Sequence, residues 1–354
     1  MRLAVLYTRL SGYIAACLEA YRVSANATLL IFAWPAEENA PFVDVSFLRL
    51  GEIRDRSKLD EQQIEQMLRS FRPDAVLVSG WIDHGYRRVC RHLKASGIPV
   101  VAGCDTQWKG SLRQHVAALV APWHVHRFID VLWVTGERQR QLARALGFSG
   151  ARCWEGFYAC DWQRFARRRS EIASGRPNSF LYVGRYVEEK GIRELAAAYR
   201  RYQVQVEKPW ALVCAGKGEL ASLLAAVGAE DRGFVQPEHL PDLMHEAAAF
   251  VLPSRFEPWG VVVQEAAACE LPLVVSDASG AAVHLLRDGY NGFLMTSGAS
   301  DSLLSAMLRL HRLSASDLRE FGRRSFELSC QYTPEIWAGT LNEGLAMLRS
   351  IMSA

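Results

Sequence analysis

The sequence predicts an α/β protein built from two doubly wound parallel-sheet domains. Three observations carry that expectation. Short apolar runs of strand length alternate with helical stretches along the whole chain, charged and Gly/Pro-rich punctuation breaks the alternation once near the middle, and 354 residues, half of them apolar, suit two cores of ordinary domain size. Strands that alternate with helices are joined in parallel through right-handed crossovers, because an antiparallel partner needs only a tight hairpin.

In the first half the apolar runs place strands at residues 3–7, 27–34, 75–79, 99–102 and 131–134. In the second they fall at 180–183, 211–214, 233–235, 249–253 and 273–276. Helical spacing of apolar residues places helices at 62–69, 86–95, 137–146, 191–201, 241–247 and 261–269, with a last one over 334–351. The interruption lies at 164–177, where Arg167-Arg168-Arg169-Ser170 and Ser174-Gly175-Arg176-Pro177 read as a linker.

Composition narrows the function class. No apolar run approaches the roughly 18 to 20 residues that span a bilayer, and the first strand lacks the longer apolar core and cleavage site of a secretory signal. The eight cysteines show no Cys-x-x-Cys pair and no metal-ligand spacing, so they are expected to be reduced thiols of a cytoplasmic chain. Residues 1–175 carry 24 Lys and Arg against 17 Asp and Glu, a net +7, whereas 176–354 carry a net −4. A basic half joined to an acidic half suggests an anionic partner for the first half, set against chance surface composition.

Open parallel sheets bind ligands beyond the carboxyl ends of their strands. In the second half those strand ends lead into Gly184-Arg185 with Glu189-Lys190-Gly191, into Ala215-Gly216-Lys217-Gly218, and into Gln236-Pro237-Glu238. They also lead into Ser254-Arg255-Phe256-Glu257-Pro258-Trp259-Gly260-Val261 and into Asp277-Ala278-Ser279-Gly280. The fourth is the most informative: an apolar strand runs into a corner shaped by Pro258 and Gly260, a helix runs out of it, and Glu257 and Glu265 lie eight positions apart across it. The first free N–H groups of such a helix form an anion site. Glu265 sits among valines and alanines, where a carboxylate belongs only at an edge or beside a partner. Singly, the Gly-Arg pair, Lys190 and the glycine loop are ordinary turn features.

Together, Val183-Gly184-Arg185, Glu189-Lys190-Gly191, Pro253-Ser254, the Glu257-to-Glu265 spacing, Leu271-Pro272, Ser276-Asp277 and Arg287-Asp288-Gly289-Tyr290-Asn291-Gly292 resemble the donor half of the retaining glycosyltransferases of family 4, glycosyl transferases group 1. The resemblance spans roughly residues 178–295. It implies a GT-B fold, two Rossmann-like domains facing a central cleft, divided as 1–170 for the acceptor and 171–330 for the nucleotide-sugar donor; 331–354 is a C-terminal helix for which a return to the first domain is one placement.

It also implies roles for these residues. Glu265 accepts hydrogen bonds from the ribose hydroxyls and Glu257 holds hydroxyls of the transferred sugar. Arg185 and Lys190 bind the diphosphate and stabilise the charge that grows on it. Backbone at Gly184, Gly216, Pro258, Trp259, Gly260 and Val261 approaches the sugar diphosphate, and the base rests near Val235 and Gln236. No Asp-x-Asp pair occurs in the chain; two cations and a helix N-terminus do that work, so neither a metal nor another cofactor is expected.

The acceptor half departs from the family pattern. Where relatives carry His-Asp after the fifth strand this chain has Cys104-Asp105, and the first glycine-rich loop is reduced to Ser11-Gly12-Tyr13. Asp105 and then His84 are the candidates to touch the reacting hydroxyl, with Ser11, Gly12 and Tyr13 beside the acceptor; in loops such residues otherwise serve as caps or turn formers. Residues 108–128 mix Lys109, Arg113, His115, His124, His126 and Arg127 with Leu112, Val116, Leu119, Val120 and Trp123. The favoured placement is an amphipathic helix packed on the sheet; the other is contact with an anionic membrane surface. The expected reaction moves a hexose-type sugar from a nucleotide diphosphate sugar to a glycan or lipid-linked acceptor at the cytoplasmic face of the membrane, in envelope or exopolysaccharide assembly, with no nucleic-acid partner. The alternatives are a nucleotide-sugar 2-epimerase of the same fold and a non-catalytic subunit that binds the nucleotide sugar.

Overall fold

In the computed structural model, which describes residues 1–35, 47, 50–166 and 178–353, the chain divides into two units, Met1–Cys160 with Thr333–Ala354 and Asp161–Tyr332. The expected linker at 164–177 lies mostly outside the described residues. Each unit is organised by one sheet in which every strand pairing is parallel.

The first sheet holds β1 (Arg2–Arg9), β2 (Thr28–Trp34), β3 (Glu52–Asp55), β4 (Ala75–Val78), β5 (Val100–Cys104), β6 (Val131–Val134) and β7 (Cys153–Glu155), in the order β3-β2-β1-β4-β5-β6-β7. Strand side chains alternate between faces. Leu3, Val5 and Tyr7 therefore enter one core, while Ala4 and Leu6 enter the other. Burial on both faces explains why these strands read as unbroken apolar runs. The first core is closed by the helix Pro334–Ser353: Trp337 stacks on Trp133 with ring centroids 4.7 Å apart, and its Nε1 donates to the Phe157 carbonyl at 2.8 Å. Gly344 lies where a Cβ would fall 2.4 Å from the Trp154 ring, so this helix approaches the sheet too closely for a side chain there.

The second sheet holds β8 (Ser179–Val183), β9 (Ala211–Ala215), β10 (Glu230–Asp231), β11 (Ala249–Leu252), β12 (Leu273–Ser276) and β13 (Gly292–Met295), in the order β10-β9-β8-β11-β12-β13. The order reverses between β8 and β11, which makes their carboxyl ends the place where flanking loops diverge and leave a crevice.

Three sequence expectations are corrected. Residues 233–235 are loop, and the strand beside β9 is the polar, two-residue β10. Strands β3, β7 and β13 were not anticipated, being short and partly polar or glycine-led. The helix within 108–128, Leu112–Val120, does not bury its apolar face on the sheet, since none of its residues is buried.

Candidate active site

Four loops of the second unit meet at the switch point. Gly184 N donates to the Ala215 carbonyl and Tyr186 N to Lys217, which lays the loop after β8 against the loop after β9. A Cβ on Gly216 would fall 1.9 Å from the Gly184 carbonyl oxygen, so glycine is there because backbone touches backbone. Gly216 N in turn donates to Gly233, joining the loop that carries Val235 and Gln236. On the other flank, Arg255 N donates to the Glu189 carbonyl at 2.8 Å, and a Cβ on Gly191 would fall 2.0 Å from the Pro253 carbonyl. The predicted donor residues thus belong to one continuous network of strand-end loops.

The two-glutamate corner is locked by the loop after β12. Gly280 N donates to Glu257 O, while Ala281 N and Ser279 Oγ both donate to Trp259 O at 2.9 Å. Gly260 caps the helix Val261–Ala268 with φ +97°, a left-handed conformation that favours glycine and turns the chain abruptly into the helix. The Trp259 ring is buried against His284 and Tyr332, so at this corner the residue contributes backbone while its side chain anchors the turn. Val263 N donates to the Gly260 carbonyl, and the amides ahead of it carry the positive end of the helix dipole.

Charged groups are prepared within this frame. Lys190 Nζ lies 2.5 Å from Glu257 Oε2, with side chains only 15% and 11% exposed, so the ion pair is screened little by solvent. Arg185 is largely exposed and pairs with Glu189. Arg255 bonds the buried Glu194 through Nε at 2.9 Å and stiffens the corner from behind; sequence reasoning missed this pair because its members are separated by 61 residues. Glu265 stands one helical turn after Val261 and so shares its side of the helix. Burial pushes its carboxyl up to about 7, the Asp161 carboxylate adds to the rise, and Arg164 opposes it.

In the first unit the candidates separate. Asp105 Oδ2 accepts from Tyr158 Oη at 3.1 Å, and the Tyr158 ring meets Tyr13 edge-on at 5.1 Å, which gathers Asp105 and Tyr13, with Ser11 and Gly12 at the start of the same helix, beyond β5 and β1. Tyr158 is the member that sequence reasoning did not single out; it lies just past β7. Cys104 is buried, its thiol pushed up to about 12 by burial, and offers no base near neutrality. His84 opens the helix His84–Ala95 in an exposed position and bonds Arg87; among the described residues no hydrogen bond links it to Asp105. No group of three or more His, Cys, Asp or Glu placed to hold a metal occurs among the described residues.

Residues 163–325 match the family model for glycosyl transferases group 1. The likeness to that family lies within the second unit. It is 30% identical over 229 residues to glycogen synthase of Mycobacterium tuberculosis, covering 60% of this chain and 54% of that protein. It is 34% identical over 151 residues to the alpha-D-kanosaminyltransferase of Streptomyces kanamyceticus, covering 40% and 37%. The chain therefore spans about half or less of the length of these curated relatives. Among solved structures, Anabaena HepE in complex with UDP superposes with a TM-score of 0.75 at 16% identity, over 98% of this chain and all of that one. Sucrose-phosphate synthase of Thermosynechococcus elongatus gives 0.74 at 17%, over 99% and 100%. At such identities the likeness establishes the fold, which is GT-B-like.

Proposed function

We propose that this chain is a retaining glycosyltransferase that moves a hexose-type sugar from a nucleotide diphosphate sugar to a hydroxyl of a glycan or lipid-linked acceptor, at the cytoplasmic face of a membrane, in envelope or exopolysaccharide synthesis. The observation that carries the reading is the Lys190–Glu257 ion pair at the switch point, beside the Gly260 helix start. A cation, an acid and a helix N-terminus held together by backbone contacts suit a sugar diphosphate better than a simple anion.

The chemistry follows from those groups. When the donor binds, Lys190 and Arg185 exchange their carboxylate partners for diphosphate oxygens, freeing Glu257 to accept hydrogen bonds from sugar hydroxyls. Ionised Glu265 accepts from the ribose hydroxyls, and the base lies against the backbone at Val235 and Gln236. As the bond from the anomeric carbon to the diphosphate oxygen breaks, charge grows on the leaving group and the two cations stabilise it there. The acceptor oxygen forms its bond on the same face of the ring, and its proton passes to the departing phosphate oxygen. Asp105, aligned by Tyr158, orients the acceptor hydroxyl. The loaded HepE structures, in complex with UDP-glucose among others, make UDP-glucose the first donor to try.

The test is a transfer assay in chelator-containing buffer, with UDP-, GDP- and ADP-linked hexoses and with glycan and lipid-linked acceptors. A product with the anomeric configuration of its donor is expected. A rearranged nucleotide sugar formed without an acceptor, or donor binding with no turnover on any acceptor, would reject the proposal in favour of an epimerase or a binding subunit.

A further inference from the structure

We propose that the first unit docks on an anionic lipid surface through the helix Leu112–Val120 and the turns that follow it. This deepens the membrane placement proposed above, on which it rests, and is tested without any transfer reaction. Leu112, Val116, Leu119, Val120 and Trp123 recur at helical spacing and so form one stripe. Helices of globular proteins turn such a stripe inward. Here it points out: Leu112 is 81% exposed, Leu119 73% and Trp123 69%, and the helix has no buried residue. The backbone is nonetheless well fixed. Ser111 caps the helix, Gln114 Nε2 donates to the Gln107 carbonyl, and Lys109 N donates to Gln114 Oε1, which fastens the helix to the loop after β5. A contiguous apolar patch held rigidly in the open marks an interaction surface.

The surrounding charge selects the occupant. Lys109, Arg113 and Arg127 are exposed around the stripe, and Arg87 reaches to 3.4 Å from His124, the residue after Trp123. Arg91 bears on the same histidine. From Thr106 to Ile129 there is no Asp or Glu. An apolar stripe with an indole, on a segment that carries cations and no acid, complements acyl chains below anionic headgroups. The stripe lies in the segment that follows β5 and Asp105.

The test uses the full chain at low salt, without any donor, so its result is separate from that of the transfer assay. Co-sedimentation with vesicles of phosphatidylcholine containing phosphatidylglycerol is expected, with little binding to phosphatidylcholine alone and release on raising the salt. The triple change Leu112→Ser, Leu119→Ser, Trp123→Ser, and separately Lys109→Glu with Arg113→Glu, should each lower the vesicle partition by about tenfold or more. Both variants should keep the wild-type unfolding midpoint, since the altered side chains are exposed. Absence of binding to anionic vesicles, or wild-type binding by both variants, would overturn the proposal. So would a solution dimer that the triple change converts to monomer while vesicle binding persists, because the stripe would then belong to a second copy.

Discussion

Lys190 and Glu257 have opposite charges, little exposure and a direct contact. Removing one leaves the other buried without its counter-charge, which costs about 3 kcal/mol. Lys190→Ala is therefore expected to lower the unfolding midpoint by roughly 5–10 °C, and a midpoint within a degree of the wild type would show that the pair is not coupled to the fold. Glu265 behaves differently, because burial holds its carboxyl at about 7 where an ordinary glutamate has 4.5. The folded state binds that proton more tightly than the unfolded chain, so the group's contribution to stability is present below the ordinary carboxylate range and is lost as pH rises towards 7. On the proposed role of Glu265, ribose hydroxyls donating to the ionised form would pull in the other direction. Nucleotide binding at pH 6.5 should thus release a proton, and affinity should rise between pH 6 and 8; calorimetry in buffers of different ionisation enthalpy measures this. Proton release that survives Glu265→Gln would assign it elsewhere. Lys190 and Glu257 stood out in the sequence because each follows a recognisable strand end, and Glu265 because it sits among valines and alanines. Tyr158 was not, since its role appears only when the chain past β7 meets Asp105, 53 residues away.

At the scale of elements, the second unit's strand-end loops are shaped by close backbone approach. Gly216 is the sharpest case: a methyl group there would overlap the Gly184 carbonyl and force the loops after β8 and β9 apart. Gly216→Ala is expected to cost about 1–3 kcal/mol and to weaken nucleotide binding, measured by denaturant unfolding and titration; wild-type values for both would mean that the two loops move independently. The central strands were readable because burial on both faces leaves continuous apolar runs, as in Ala249–Leu252 and Leu273–Ser276. Edge and short strands were not, because solvent on one side lets them be polar. Glu230–Asp231 pairs with β9 yet carries no apolar residue, while the neighbouring Gly233-Phe234-Val235 reads as a strand and is loop. The helix Leu112–Val120 shows the same ambiguity for helices: periodicity gives the stripe, and only the structure gives its direction.

At the scale of the whole chain, 20-odd C-terminal residues belong to the first unit, where Trp337 stacks within an aromatic cluster of Trp133, Trp154 and Phe157. Trp337→Ala should cost about 3–5 kcal/mol and unfold the first unit at lower denaturant, leaving nucleotide binding by the second intact; loss of nucleotide binding in step with the first unit would tie the two together. The family pattern covers the second unit, and there sequence and structure converge on one set of loops, whereas the first unit keeps the layout with different residues at its strand ends. Whether the second unit is a nucleotide-sugar donor site is decided by calorimetric titration of uridine, guanosine, adenosine and cytidine diphosphates into the full chain and its Lys190→Ala and Glu265→Ala variants. One diphosphate is expected to bind the wild type with affinity about tenfold or more above that for either variant, a difference of about 1.4 kcal/mol. Failure of all four to bind, or equal binding by wild type and both variants, would contradict it.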